Sequence, residues 1–177
     1  MSVGFFGKIP SRGDFVRAGL SRPLVDAWDQ WLQRLLPVVE RQLGDRWAAA
    51  WQVAPVWRFI LPAGHCGPAP VAGLWLPSVD RAGRCFPLMI AAENADPGTG
   101  FFDKAEQAGR EAVAWDLAPE ALLERLQAMA PAHSVPDTRA VRTNGLWWSD
   151  GGPLAQGGTL SLDSLPDVSG FVGMLLG

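Results

Sequence analysis

Two short polar stretches hold most of the groups in this chain whose types and spacing suit chemistry: Ser11, Arg12, Asp14 and Arg17 in the first, and Ser78, Asp80, Arg81 and Arg84 in the second. Arginine offers a rigid fork of donors that matches a carboxylate or a phosphate, and aspartate supplies an acceptor or, in a catalytic setting, a general base. The second stretch repeats the chemistry of the first. Brought to one end of a sheet, the two would form an internal ion-pair network, a cradle for a phosphate, or a contact surface for a partner's carboxylates. The internal network is the expectation, because Arg and Asp beside a buried strand end ordinarily satisfy each other and the nearby backbone.

The other candidates fail on spacing. His65-Cys66 is an adjacent pair of a base and a nucleophile, but consecutive residues rarely face each other, and His133 lies in an irregular stretch. His65, Cys66, Cys85 and His133 lack the paired spacing of zinc ligands, so no metal is expected. Gly4 and Gly7 are isolated, and Lys8 is not followed by the Ser or Thr that a phosphate-binding loop requires, so no nucleotide or other cofactor is expected. With no histidine placed as a base, an enzyme would have to rely on Asp14 or Asp80. That leaves a small hydrolase or phosphate-binding enzyme, built on the loops at 11–17 and 78–84, as the alternative to a binding protein.

The totals narrow the class further. The 177 residues suit one domain, and an apolar fraction of 48% with nine Trp, eight Phe and only 19% charged residues favours a generous core over disorder. Net charge is -3, and thirteen Arg against two Lys form no basic run, which sets nucleic acid aside. The amino terminus lacks the pattern of a signal peptide, and no apolar run approaches the ~20 residues of a membrane span. A cytoplasmic protein without membrane insertion is expected. Two cysteines are too few for a disulfide framework and read as small buried hydrophobes.

The elements that must position the two loops follow from periodicity. Phe5 and Phe6 are adjacent on an extended stretch, so their rings point to opposite faces and both faces need cover. Pro10 then ends the strand, having no N–H to donate. Leu24, Trp28, Trp31, Leu35, Val39 and Leu43 recur at spacings of three and four, predicting a long amphipathic helix opened by Ser21 or Arg22 with Pro23 and closed by Gly44. Pro37 within it predicts a kink or a break. Trp47 and Trp51 share one side of a brief helix.

Val56–Leu61, Val71–Leu76 and Phe86–Ala91 are nearly continuous apolar runs of strand length, expected to be covered on both faces. Within them Arg58 must find a carboxylate or a carbonyl. The polar connection at 77–84 is of hairpin length and makes its strands antiparallel neighbours. Helices are predicted from Thr99 and from Pro119, then a polar, Pro-containing loop from Pro131 to Thr143. Leu146-Trp147-Trp148 predicts a strand buried on both faces, Thr159–Leu162 a strand with one wet face, and Asp167 the cap of a terminal helix. The architecture predicted is α/β: a three-layer α/β/α sandwich with a mixed sheet of about six strands and an antiparallel central meander.

The stretch Gly4-Phe5-Phe6-Gly7-Lys8-Ile9-Pro10-Ser11-Arg12-Gly13-Asp14-Phe15-Val16-Arg17 resembles the amino-terminal signature of the TagF family, accessory proteins of the bacterial type VI secretion system. Trp28-Asp29-Gln30-Trp31-Leu32, Trp57-Arg58-Phe59, Pro77-Ser78-Val79-Asp80-Arg81-Ala82-Gly83-Arg84-Cys85-Phe86-Pro87-Leu88 and Leu146-Trp147-Trp148 follow in the order expected of that family. The match touches nearly the whole chain, though 95–143 agrees only in helical character. The resemblance implies a single TagF-like domain over 1–177 with an α/β sandwich. It also implies a cytoplasmic post-translational repressor of apparatus assembly that acts without catalysis. The partner it implies is the apparatus protein with a forkhead-associated domain, in a circuit with a threonine kinase and phosphatase. Some members carry a fused phosphatase domain, and none is expected within these 177 residues. The resemblance assigns no catalytic residue.

Overall fold

The computed structural model describes residues 2–94, 98–115, 117–129 and 143–177. The polar loop expected from Pro131 to Thr143 lies, apart from Thr143, outside the described residues, and so does His133.

Seven strands form one sheet: β1 (Ser2–Gly7), β2 (Val16–Ala18), β3 (Trp57–Leu61), β4 (Val71–Leu76), β5 (Leu88–Glu93), β6 (Gly145–Gly151) and β7 (Gln156–Leu162), in the order β2-β1-β5-β4-β3-β6-β7. Two expectations are corrected here. Among the described residues there are seven strands, not about six, because the end of the first polar stretch folds back as β2, with Gly7 opposite Val16 and Phe6 opposite Arg17. The sheet is not mixed, since all six hydrogen-bonded strand pairs are antiparallel.

The physical reason lies in the connections. Burial on both faces suggests parallel strands only when single helices carry the chain across a sheet. Here β3, β4 and β5 form the expected meander, and two successive helices, α3 (Thr99–Ala114) and α4 (Pro119–Met129), separate β5 from β6. An out-and-back pair of helices returns the chain to the end of the sheet it left. The next strand, β6, therefore runs antiparallel to its neighbour β3.

The adjacent aromatic pairs divide between the faces as strand geometry requires. Phe6 and Trp147 join a core with α1 (Arg22–Leu43), α2 (Trp47–Gln52) and α5 (Val168–Leu176), while Phe5 joins a second core with α3 and α4, against which Trp148 packs. On the first face Trp28 of α1 lies over Phe59 and Trp147, with ring centroids 5.2 and 6.3 Å away. Buried indoles also tie elements together by hydrogen bonds: Trp31 donates to the Pro166 carbonyl at 2.8 Å and Trp57 to that of Met174 at 2.9 Å. Arg58 of β3 finds its carboxylates on two other elements, Glu106 of α3 at 2.6 Å and Asp150 of β6 at 2.9 Å.

Helix α1 starts at the cap Ser21, whose hydroxyl accepts from the Leu24 N–H, and it closes at Gly44 in a conformation with φ of 52°. It runs unbroken through Pro37, so of the kink or break expected there, the break into two helices does not occur. Nine buried apolar side chains along its length hold the helix to the sheet through that defect. The Ser21 cap is itself clamped, its N–H and hydroxyl donating to the buried Glu93 carboxylate at 2.7 and 2.5 Å. The Ser2 hydroxyl donates to the same carboxylate, so Glu93 joins β1, β5 and the start of α1.

Candidate functional site

The polar loops after β1 and after β4 meet at one end of the sheet. Strand β1 ends at Gly7, where φ is 147° and a Cβ would sit 2.1 Å from the Pro87 carbonyl oxygen, so only glycine allows this approach. The chain then turns inward with Lys8, which is buried and donates to Asp80 Oδ2 at 2.9 Å. Arg84 Nε donates to the same oxygen at 2.6 Å, and Oδ1 accepts from the N–H groups of Ala82 and Arg84 at 2.9 and 3.0 Å. Both carboxylate oxygens of Asp80 are thus occupied. Burial pushes this carboxyl's pKa up, but the hydrogen bonds from Lys8 and Arg84 outweigh burial and hold it well below the usual carboxylate range. A carboxylate stabilised in this way is a weak base and a poor proton carrier at neutral pH.

The second loop is then sewn to the first through backbone. The Arg81 N–H donates to the Arg12 carbonyl at 2.9 Å, Arg81 Nη2 to the Ser11 carbonyl at 2.6 Å, and Arg84 Nη2 to the Gly13 carbonyl at 2.9 Å. Ser78 serves through its carbonyl, which accepts from Trp51 Nε1 at 2.9 Å and from the Phe86 N–H at 3.1 Å. Ser11 is buried, and its hydroxyl has no hydrogen-bond partner among the described residues.

Of the eight residues singled out from sequence, Ser11, Ser78, Asp80, Arg81 and Arg84 are therefore brought into one network, mostly by backbone contacts. Arg12 contributes its carbonyl and sends its side chain toward Glu120 of α4, 4.0 Å away. Asp14 and Arg17 are exposed, and neither side chain has a hydrogen bond or ion pair among the described residues. Sequence reasoning missed Lys8, Phe15 and Phe86. Phe15 stacks on Phe6 at 5.6 Å and meets Phe86 edge-on at 4.7 Å, while Lys8 Nζ lies 5.1 Å from its ring centre. Phe15 is nevertheless 46% exposed. The available signal was a lysine inside an apolar stretch, which needs a carboxylate, and a phenylalanine inside a polar loop, which needs a reason.

His65 and Cys66 stay apart from this network, whereas Cys85 follows Arg84 and is bridged to Val79 within it. Burial, with Glu93 nearby, pushes the Cys66 thiol up to about 12, so thiolate is negligible at neutral pH. His65 Nε2 lies 3.0 Å from the Thr143 carbonyl oxygen. Among the described residues no group of three or more His, Cys, Asp or Glu is arranged to hold a metal ion, and no helix is long and apolar enough to cross a membrane. Clefts among the described residues lie elsewhere. One of about 530 Å³ runs along α3 beside Arg58, Glu106 and Trp115, and one of about 640 Å³ lies at the β6–β7 turn beside the C-terminal end of α5.

The family model for the TagF N-terminal domain, type VI secretion system-associated, matches residues 4–132 and so includes both loops. The chain belongs to the TagF family. The crystal structure of PA0076 from Pseudomonas aeruginosa PAO1 is similar over 99% of this chain and 94% of that one, with a TM-score of 0.86 and 30% sequence identity. That likeness extends past the region matched by the family model, through β6, β7 and α5, which complete one end of the sheet and part of the aromatic core. No curated protein matches the chain. Membership of this family associates the chain with type VI secretion.

Proposed function

We propose that this chain is a non-enzymatic, cytoplasmic regulator of type VI secretion. It acts as a post-translational repressor of apparatus assembly by binding the component that carries a forkhead-associated domain, within a threonine kinase and phosphatase circuit. The observation that carries the reading is the fused pair of loops. Lys8 and Asp80 are consumed in holding the loops rigid, and Phe15 is left half-exposed at the rim. A rigid aromatic side chain held by neighbours and open to solvent has the character of an interface anchor. Family membership supports the association with secretion, and Asp80, held by Lys8 and Arg84, disfavours a hydrolase built on these loops. In this reading the molecule is a three-layer sandwich, with α1, α2 and α5 as one outer layer and α3 and α4 as the other. The loops form one end of that sandwich.

The test is calorimetry of the purified chain with the forkhead-associated-domain protein of the same secretion cluster, phosphorylated and unphosphorylated. Binding at micromolar Kd or tighter, about -8 kcal/mol, is expected. Phe15→Ala should weaken it by about 30-fold or more, the level of an interface hot spot. A difference between the two forms places the chain in the phosphorylation circuit. The absence of heat and of a complex with either form overturns the partner assignment.

A further inference from the structure

The loop face has a charge opposite to that of the rest of the molecule. The chain carries a net -3, yet Lys8, Arg12, Arg17, Arg81 and Arg84 gather here against Asp14, Asp80 and Glu120. Lys8 and Asp80 neutralise each other in the interior, and Arg12 turns to Glu120 on the α4 side. In the two loops that hold Phe15 this leaves Arg17, Arg81 and Arg84, the last also paired with Asp80, against Asp14 and against Glu40 of α1, which acts on the neighbouring Cys85.

The register of β2 shows that Arg17 and Phe15 share a side. Arg17 pairs with Phe6, and paired residues in an antiparallel ladder project to the same face. Phe6 is the ring on which Phe15 stacks, whereas Val16 turns to the core beneath α3 and α4. Arg17 has no ion pair or hydrogen bond from its side chain among the described residues. The Arg84 side chain is 65% exposed, and Arg81 sends only Nη2 to the Ser11 carbonyl. Each guanidinium has five N–H donors, so most of these remain available for carboxylates.

We infer that the segment seated on this face is an acidic stretch of a partner protein with an apolar side chain in its middle: the apolar group packs on Phe15, and the flanking carboxylates reach Arg17, Arg81 and Arg84. This rests on the reading of the Phe15 face as the contact surface. The acidic character is a separate claim, carried by the local charge and the available donors.

The probe is a short blocked peptide, Glu-Glu-Leu-Glu-Glu, titrated into the isotope-labelled full chain and followed by amide chemical shifts, with Gln-Gln-Leu-Gln-Gln as its uncharged counterpart. At millimolar concentration the acidic peptide should shift residues 13–18 and 81–85, and the uncharged one should not. Raising salt from 50 to 300 mM should weaken the effect severalfold, and Arg17→Glu, an exposed change on an edge strand, should weaken it at least tenfold with an unchanged circular-dichroism spectrum. Equal shifts from both peptides, shifts confined to other residues, or none at all overturn the inference. So does equal binding of a single-stranded oligonucleotide of matching charge, which would mean that charge alone is recognised. The two proposals fail separately. If the forkhead-associated partner binds with an affinity indifferent to salt and to Arg17→Glu, the function stands and this inference falls. If the peptide binds here while that partner does not, the reverse holds.

Discussion

Replacing Asp80 by Asn separates the charge of the loop network from its shape. Asn retains an oxygen to accept from the N–H groups of Ala82 and Arg84, but it removes the charge facing Lys8 and Arg84. The Arg84 side chain is largely exposed, so its share of the loss is screened and amounts to less than about 1 kcal/mol. Most of the loss falls on Lys8, because it is buried and its ammonium is left without a counter-charge. Removing one partner of a buried pair costs about 3–5 kcal/mol, and we expect about 3 here because the Lys8 ammonium still rests against the Phe15 ring. For a chain of this size that corresponds to about 6–12 °C in Tm.

Urea unfolding at pH 7, followed by the fluorescence of the nine tryptophans, measures the loss directly. Combining the change with Lys8→Met should recover most of it, because a buried pair replaced by uncharged groups of similar volume is near neutral. The pH dependence has a definite sign. A carboxyl held below its ordinary value contributes fully above the unfolded value of about 3.9, and the contribution is lost as pH falls below that. The stability gap between parent and Asp80→Asn should therefore be constant from pH 7 to about 5 and narrow below about 4. A loss under about 1 kcal/mol at pH 7, or no recovery in the double variant, refutes the account of Lys8–Asp80 as a buried, interdependent pair.

Other substitutions probe the scaffold. Pro37→Ala restores a helical hydrogen bond in an unbroken α1 at an exposed position and should stabilise by about 2 kcal/mol in the same urea assay, after allowing for a more flexible unfolded chain; a loss instead means the helix is adapted to the proline. In the native protein at pH 8, iodoacetamide should label the half-buried Cys85 well before Cys66, whose thiol burial pushes up to about 12, and peptide mass spectrometry reporting Cys66 first would contradict its inert setting. Gly4→Ala places a Cβ 2.0 Å from the Ala18 carbonyl oxygen, against backbone that cannot yield without moving β2. It should cost more than about 2 kcal/mol, and an unchanged urea midpoint would show that β2 is free to shift.

Much of this molecule is legible in its residues. The spacing of Trp28, Trp31, Leu35 and Val39 gives α1 its buried face, Ser21 and Asp167 mark two helix starts, and the neighbouring rings Phe5-Phe6 and Trp147-Trp148 require cover on both sides of the sheet. These are local properties: three to four residues per helical turn and two per strand repeat place side chains on faces whatever lies across from them. The family resemblance was legible for a similar reason, since it is carried by long contiguous motifs.

Strand direction, the seventh strand and the site depended on contacts between distant residues. Arg58 announced that it needed a carboxylate, yet only the packing of α3 and β6 against β3 selected Glu106 and Asp150. Lys8 and Asp80 stand 72 residues apart, and nothing near either one specifies the other. The antiparallel placement of β1 beside β5 and of β5 beside β4 brings the ends of β1 and β4 to the same edge, so their loops must share space. Sequence determined which residues would be buried and which elements they would build. The tertiary structure alone decided that Asp80 would be enclosed by cations and Phe15 left open, because both outcomes depend on which strands pair.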